Sequence, residues 1–265
     1  MSSLSDSPVA TDSPAKDAVA ESVFVRPVRC RWFLVLAGLA GAALGWWVLE
    51  TRVESFPVPE ELEALSAKRR ATMPMSQEEN DRHAELSAQL DRKNAAAAWV
   101  VIGVPVAALV GATAGVLIRS WAMSLAGLFV GAILGGALGG AAGWTAALVY
   151  QTLMIRVALE ASYSAMAAHA VGWSLLAIAI ALTVWLVTRR PGVSLLRVAG
   201  TAVASGLVAA LLFPIIAAVA FPMSNSDLVI PSGHWNRLVW VEFAAAIISL
   251  GIVRSISRPK PLVKA

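Results

Sequence analysis

The stretch from Gly127 to Gly143 reads GLFVGAILGGALGGAAG, with glycine at every fourth position (Gly127, Gly131, Gly135, Gly139, Gly143) and two extras, Gly136 and Gly140. Between Gly135 and Gly143 the only bulky side chain is Leu138. In water such a run makes a poor helix, because each glycine costs about 1 kcal/mol relative to alanine. In lipid the balance reverses. Unpaired backbone groups are so costly there that the segment is driven into a helix. A helix stripped of side chains lets neighbouring backbones approach closely, which is how membrane helices associate when no hydrophobic effect separates protein from lipid. Four residues turn a helix by about 400°, so the stripe drifts about 40° per step and suits a right-handed small-xxx-small crossing. The stretch predicts the central helix of a transmembrane bundle.

The rest of the chain supports that reading. Of its 265 residues, 58% are hydrophobic and 14% charged, and its mean hydropathy is +0.70. Soluble domains sit near about 45–50% apolar and about 25% charged, so the composition is that of a polytopic membrane protein. The formal net charge is +4, but the basic residues cluster at helix ends and form no stripe with stacking aromatics. They obey the positive-inside rule, and no nucleic-acid partner is expected. The single cysteine, Cys30, excludes an internal disulfide and a multi-cysteine zinc site. It reads as a bystander thiol among Arg26, Arg29 and Arg31.

Residues 1–31 read as a disordered cytoplasmic tail, and 32–49 as a first transmembrane helix that serves as an uncleaved signal-anchor. Its Ala37, Gly41 and Gly45 repeat the every-fourth spacing. Residues 50–94 carry ten acidic and seven basic side chains. Pro59 suits a helix start, Met73-Pro74-Met75 breaks that helix, and Ser76 with Glu79 forms a capping box for the next. An extracytoplasmic helical hairpin is predicted, its second arm running unbroken into the second span. Five further spans follow at about 95–118, 121–150, 168–188, 193–220 and 238–253, and 254–265 is a basic cytoplasmic tail. The segment 151–168 is too polar for mid-bilayer and reads as an interfacial helix or an extension of its neighbours. Trp99, Trp121 and Trp144 stand 22 and 23 residues apart, about 33–35 Å along a helix, which suggests two interfacial tryptophan belts.

The expected fold is therefore all-α, a six-helix membrane bundle with a small extracytoplasmic hairpin. An even number of spans puts both termini on one side. Arg26, Arg29, Arg31, Arg119, Arg189, Arg190, Arg254, Arg258, Lys260 and Lys264 collect there. Both termini are predicted to be cytoplasmic, with the chain integral to the cytoplasmic (inner or plasma) membrane.

No hydrolase, nucleotide-binding or redox motif is present, so no catalytic residue and no cofactor is assigned. The three histidines, His83, His169 and His234, lie on different segments and suggest no metal site. Ionisable residues within spans are the default functional candidates. Glu242, one turn into the sixth span, leads a small or polar face of Ala245, Ala246 and Ser249. His169 is its expected partner, with His234, Arg237 and Arg156 as rivals. Secondary candidates are Arg197, Glu160 and His234. Arg197 starts a line with Thr201 and Ser205, whose hydroxyls can reach a neighbouring helix, and is expected to snorkel to the cytoplasmic surface.

The leading expectation is a non-enzymatic scaffold or assembly component packed through the glycine helices, with the lipid bilayer as its constant partner. Residues 58–93 offer a surface to a protein partner, and the small-residue faces offer one to a second copy of the chain. The alternative is a small-solute or ion transporter or channel with Glu242 and His169 near the path. A lipid-modifying enzyme using His169, His234 and Asp227 is a weaker third class. Pro105 and Pro214 in the second and fifth spans raise the prospect of an inverted repeat. They fall at similar depth, however, and the glycine run has no counterpart in the second half, so a repeat is not expected.

Overall fold

The computed structural model describes residues 32–52, 56–189 and 194–257. The expectations for the two tails at 1–31 and 258–265, and for Arg190 and Pro191, lie outside the described residues. Seven helices and no strand occur among the described residues: α1 (Trp32–Arg52), α2 (Glu60–Arg70), α3 (Gln77–Leu117), α4 (Trp121–Arg156), α5 (Ala161–Thr188), α6 (Leu195–Ala220) and α7 (His234–Ser257). All except α2 are long and apolar enough to cross a membrane. The polar segment 151–168 divides between its neighbours. α4 runs on to Arg156, α5 starts at Ala161, and Glu160 is an exposed residue at the α5 N-cap.

The six long helices close a ring in the order α1, α3, α4, α5, α6, α7, with α3 also packed across it onto α5. The glycine helix α4 is therefore not central. Only 28% of its most apolar window is buried, against 50% for α3 and 56% for α5. The reason lies in how one-sided the stripe is. The glycines all face α3, while Leu125, Phe129 and Ile133 point outward on the opposite side. A thin face brings in one neighbour; it does not gather several.

On that one side the approach is close. A Cβ built on Gly127, Gly131, Gly135, Gly139 or Gly143 would lie at most 2.6 Å from the carbonyl oxygen of Gly111, Ala107, Gly103, Trp99 or Ala95 respectively. The partners fall by four as the glycines rise by four, so the antiparallel register holds through five successive contacts. Backbone meets backbone throughout, the geometry in which Cα–H groups approach carbonyls, contributing about 0.5–1 kcal/mol each where the contact forms. The short turn between α3 and α4 is tied by Ser124 Oγ, which donates to Ala112 O at 2.8 Å, and by Ser120, whose hydroxyl accepts from Met123 N at 3.2 Å.

α1 approaches α3 by the same device. Gly41 and Gly45 lie against the backbone of Val101–Val106, where Pro105 has no N–H to offer the Val101 carbonyl. Gly38 faces Ser249 of α7.

α3 has 41 residues, about 60 Å of helix against a hydrocarbon core of about 30 Å. Ser76 caps it through the capping box: Glu79 N donates to Ser76 Oγ at 3.1 Å, and Ser76 N donates to the Glu79 carboxylate at 2.8 Å. α2 lies against the first turns of α3. Arg82 donates to both carboxylate oxygens of Glu61 (2.9 and 3.1 Å), Lys68 reaches Glu79 at 2.7 Å, and Ser66 Oγ meets His83 Nε2 at 3.1 Å. The Arg82 guanidinium holds the Glu61 carboxyl below its ordinary value of 4.5. Its pairing therefore persists through mild acid and is lost only as the pH falls through that depressed value.

Candidate functional site

Two of the candidates, His169 and His234, lie where α1, α5 and α7 meet the loop 221–233. The loop runs from the end of α6, whose cap Phe221 donates to Ala217 O at 2.8 Å, to Gly233 with φ +86°, a left-handed conformation suited to glycine. It closes on itself through Ser232 N to Asn225 O at 2.8 Å and Asn225 N to Ser232 Oγ at 2.8 Å. α7 then starts at His234 and places His234, Arg237 and Asn236 in its first turn.

Arg237 does not meet Glu242. Its guanidinium grips Glu50, at the last turn of α1, through both carboxylate oxygens; the Nη2 contact is 2.9 Å. His234 Nδ1 adds a third contact to Glu50 at 3.1 Å. The Glu50 side chain is only 13% exposed, so these contacts replace most of its hydration. Trp46, one turn earlier on α1, donates from Nε1 to His234 O at 3.0 Å, and its ring packs on those of His234 and Trp235. The result is a clamp between the first and last long helices, built from a forked, charge-assisted pair and an aromatic lid. With its oxygens occupied by Arg237 and His234, Glu50 is a strut and not a free base.

Below the clamp the interior is filled by indole rings. Trp99 of α3, Trp173 of α5 and Trp240 of α7 are all fully buried, with ring centroids 4.6, 5.3 and 5.0 Å apart. Trp99 therefore belongs to the core, and the interfacial belt expected from the spacing of Trp99, Trp121 and Trp144 is not what that spacing records; Trp121 alone of the three is fully outward, at 76% exposed. Helical phase decides this: Trp99 sits on the face of α3 that turns toward α5 and α7. Gly172 makes room for it, since a Cβ there would meet the indole at 2.6 Å.

His169 packs beside this cluster, 5.3 Å from Trp240 and 5.9 Å from Phe213 between ring centroids. It is fully buried, and its Nε2 donates to Val229 O at 3.2 Å, so the proton sits on Nε2. Its Nδ1 has no hydrogen-bond partner among the described residues. His169 thus pins the loop to the core.

The structure does not bring Glu242 to His169. Trp240 touches His169, and Glu242, two residues on, is turned about 200° from it. Glu242 is half-buried and forms no hydrogen bond or ion pair with a described residue. In the α1–α7 register that sets Gly38 against Ser249 and Glu50 against Arg237, it lies level with Gly45. Of its three other expected partners, His234 and Arg237 are committed to Glu50, and Arg156 is an exposed residue at the last position of α4. Arg197 lies at the opposite end of the bundle, near Arg254. Thr201 donates back to its own helix, to Arg197 O at 2.7 Å, and not to a neighbour. Asp227 contributes its backbone carbonyl, which accepts from Tyr150 Oη at 3.0 Å. No group of three or more His, Cys, Asp or Glu side chains arranged to hold a metal occurs among the described residues.

Glu50 is the residue that sequence reasoning missed as a site. The signal was present: a single carboxylate ending the apolar run GWWVLE, and an arginine immediately before the last predicted span. What was missing was the pairing of the first helix with the last. Six membrane-length helices, the first and last tied by a part-buried ion pair, are compatible with a polytopic helical membrane protein. No family model matches the chain, and neither a curated protein nor a solved structure matches it.

Proposed function

We propose that this chain is a non-enzymatic scaffold or assembly component of the cytoplasmic membrane, with both termini in the cytoplasm and α2 with the first turns of α3 forming an extracytoplasmic helical hairpin. The observation that carries the reading is the unbroken α3. It leaves the bundle as a continuous helix and is braced there by α2 through Arg82–Glu61 and Lys68–Glu79. A polar rod rigidly continuous with the membrane bundle suits a protein that presents a surface to a partner. Two further features favour it. The glycine contacts between α3 and α4 act as a zipper, and two of the candidate ionisable groups are spent on structure: His234, with Arg237, on Glu50, and His169 on Val229 O.

The test replaces residues 58–93 with a short flexible linker and compares the proteins recovered after crosslinking in cells. Loss of specific partners, with the bundle still monodisperse after extraction, is the expected result. An unchanged partner set would sink the scaffold reading. Impermeant reagents applied from outside should label cysteines introduced in 58–93 and spare those placed at either terminus.

Transport through the bundle is the second reading, and the free carboxylate of Glu242 favours it. Against it stands the packed triad Trp99, Trp173 and Trp240 across the outer half. Flux into proteoliposomes that disappears in Glu242→Gln would restore it over the scaffold.

A further inference from the structure

At the end of the bundle where α1 starts and α7 stops, a recess of about 210 Å³ is lined by Arg197 and Thr201 of α6 and Arg254 and Ser255 of α7. Two arginines from different helices line one recess. Neither forms a hydrogen bond or ion pair with any described residue. The hydroxyls are already committed, Thr201 to Arg197 O at 2.7 Å and Ser255 to Ile252 O at 2.7 Å. The free donors in the recess are therefore the arginines alone. No described residue near this end of either helix is acidic: the nearest carboxylate on α7 is Glu242, three turns away, and α6 has none.

We propose that this recess binds the phosphate of an anionic phospholipid. Guanidinium donors match phosphate oxygens in a fork, and basic pockets between membrane helices are suited to anionic headgroups. Two positive charges outnumber the single charge of a phosphodiester, so a headgroup carrying its own ammonium is disfavoured and a glycerol headgroup is preferred. The same end of α6 offers apolar surface to acyl chains: Leu196, next to Arg197 in sequence, is 82% exposed. A lipid held here would bridge α6 and α7 where no side chain of either does so by an ion pair. The inference is independent of the scaffold role, since it concerns the opposite end of the molecule.

The test is native mass spectrometry of the full chain released from detergent, titrated with dioleoyl-phosphatidylglycerol, dioleoyl-phosphatidylcholine or inorganic phosphate. Phosphatidylglycerol adducts should exceed phosphatidylcholine adducts. Affinity for the former should fall about tenfold with Arg197→Gln or Arg254→Gln, the weight of one charge-assisted contact, and further in the double variant. Arg197→Lys with Arg254→Lys, which keeps both charges, should retain the preference for phosphatidylglycerol and report that the fold is intact. Equal binding of the two lipids, or phosphatidylglycerol binding unaltered in the double glutamine variant, would overturn the proposal. Displacement of the lipid by millimolar inorganic phosphate would overturn its lipid source and assign the recess to a soluble phosphate.

Discussion

Two faces of α3 show opposite ways to pack a helix in a medium as apolar as the protein itself. Toward α4 it presents Ala95, Gly103, Ala107 and Gly111, and the glycines of α4 bring backbone onto backbone. Toward α5 and α7 it presents Trp99, whose ring fills the space between three helices. In lipid neither face gains from leaving water, so association depends on contact density. One face reaches that density by removing side chains, the other by inserting the largest one. The first should fail when atoms are added and the second when they are taken away.

Gly135→Leu should break the first face most severely. Its Cβ would overlap the Gly103 carbonyl, a backbone atom with no rotamer to retreat to. The cost should exceed the about 1–3 kcal/mol typical of overpacking. Size-exclusion chromatography in mild detergent should show loss of the folded species; a monodisperse, thermally unchanged variant would contradict the packing described here.

Trp99→Ala attacks the second face by subtraction. Truncating a buried Trp costs about 3–5 kcal/mol in water-soluble cores. The loss here should fall at the lower end, because the unpacked state in lipid hides the indole as well. A thermal-unfolding series with Trp99→Phe should place that variant between the two; a Trp99→Ala midpoint equal to wild type would remove the triad from the list of stabilising contacts.

Glu50→Gln sharpens the contrast with a polar contact. It leaves Arg237 without its counter-charge, at an expected cost of about 1–3 kcal/mol, less than for a fully buried pair because solvent reaches the arginine. The double variant Glu50→Arg with Arg237→Glu should recover part of it. A double-mutant cycle showing no coupling between the two positions would dismiss the clamp.

The smallest effect is expected at Gly200, which has nothing within 4 Å of a built Cβ. Gly200→Ala should stabilise α6 by up to about 1 kcal/mol through helix propensity alone. A destabilised Gly200→Ala would mean that glycine is needed outside the close contacts too.

Much of the local structure was legible in the chain. The capping box at Ser76 and Glu79, the break at Met73-Pro74-Met75, and the unbroken helix into the second span follow from side chains acting on their own backbone within a few residues. The stripe in α4 could also be read as a close-packing surface. The candidate site was less accessible. Glu242 and His169 look like partners by depth, but depth leaves out the azimuth of each helix, and the two residues face different ways.

By itself the sequence determined which segments are helical and long enough to cross a bilayer, because lipid tolerates no unpaired backbone and the apolar runs are unmistakable. Only the tertiary structure decided that α4 takes a place in the ring with one side outward, where Trp99 points, and that Glu50 and Arg237, 187 residues apart, belong to one site. Those outcomes depend on how six similar rods are rotated and ordered around one another. In an apolar medium, hydrophobic periodicity carries little information about that arrangement, since a side chain facing lipid and one facing the core can be the same residue.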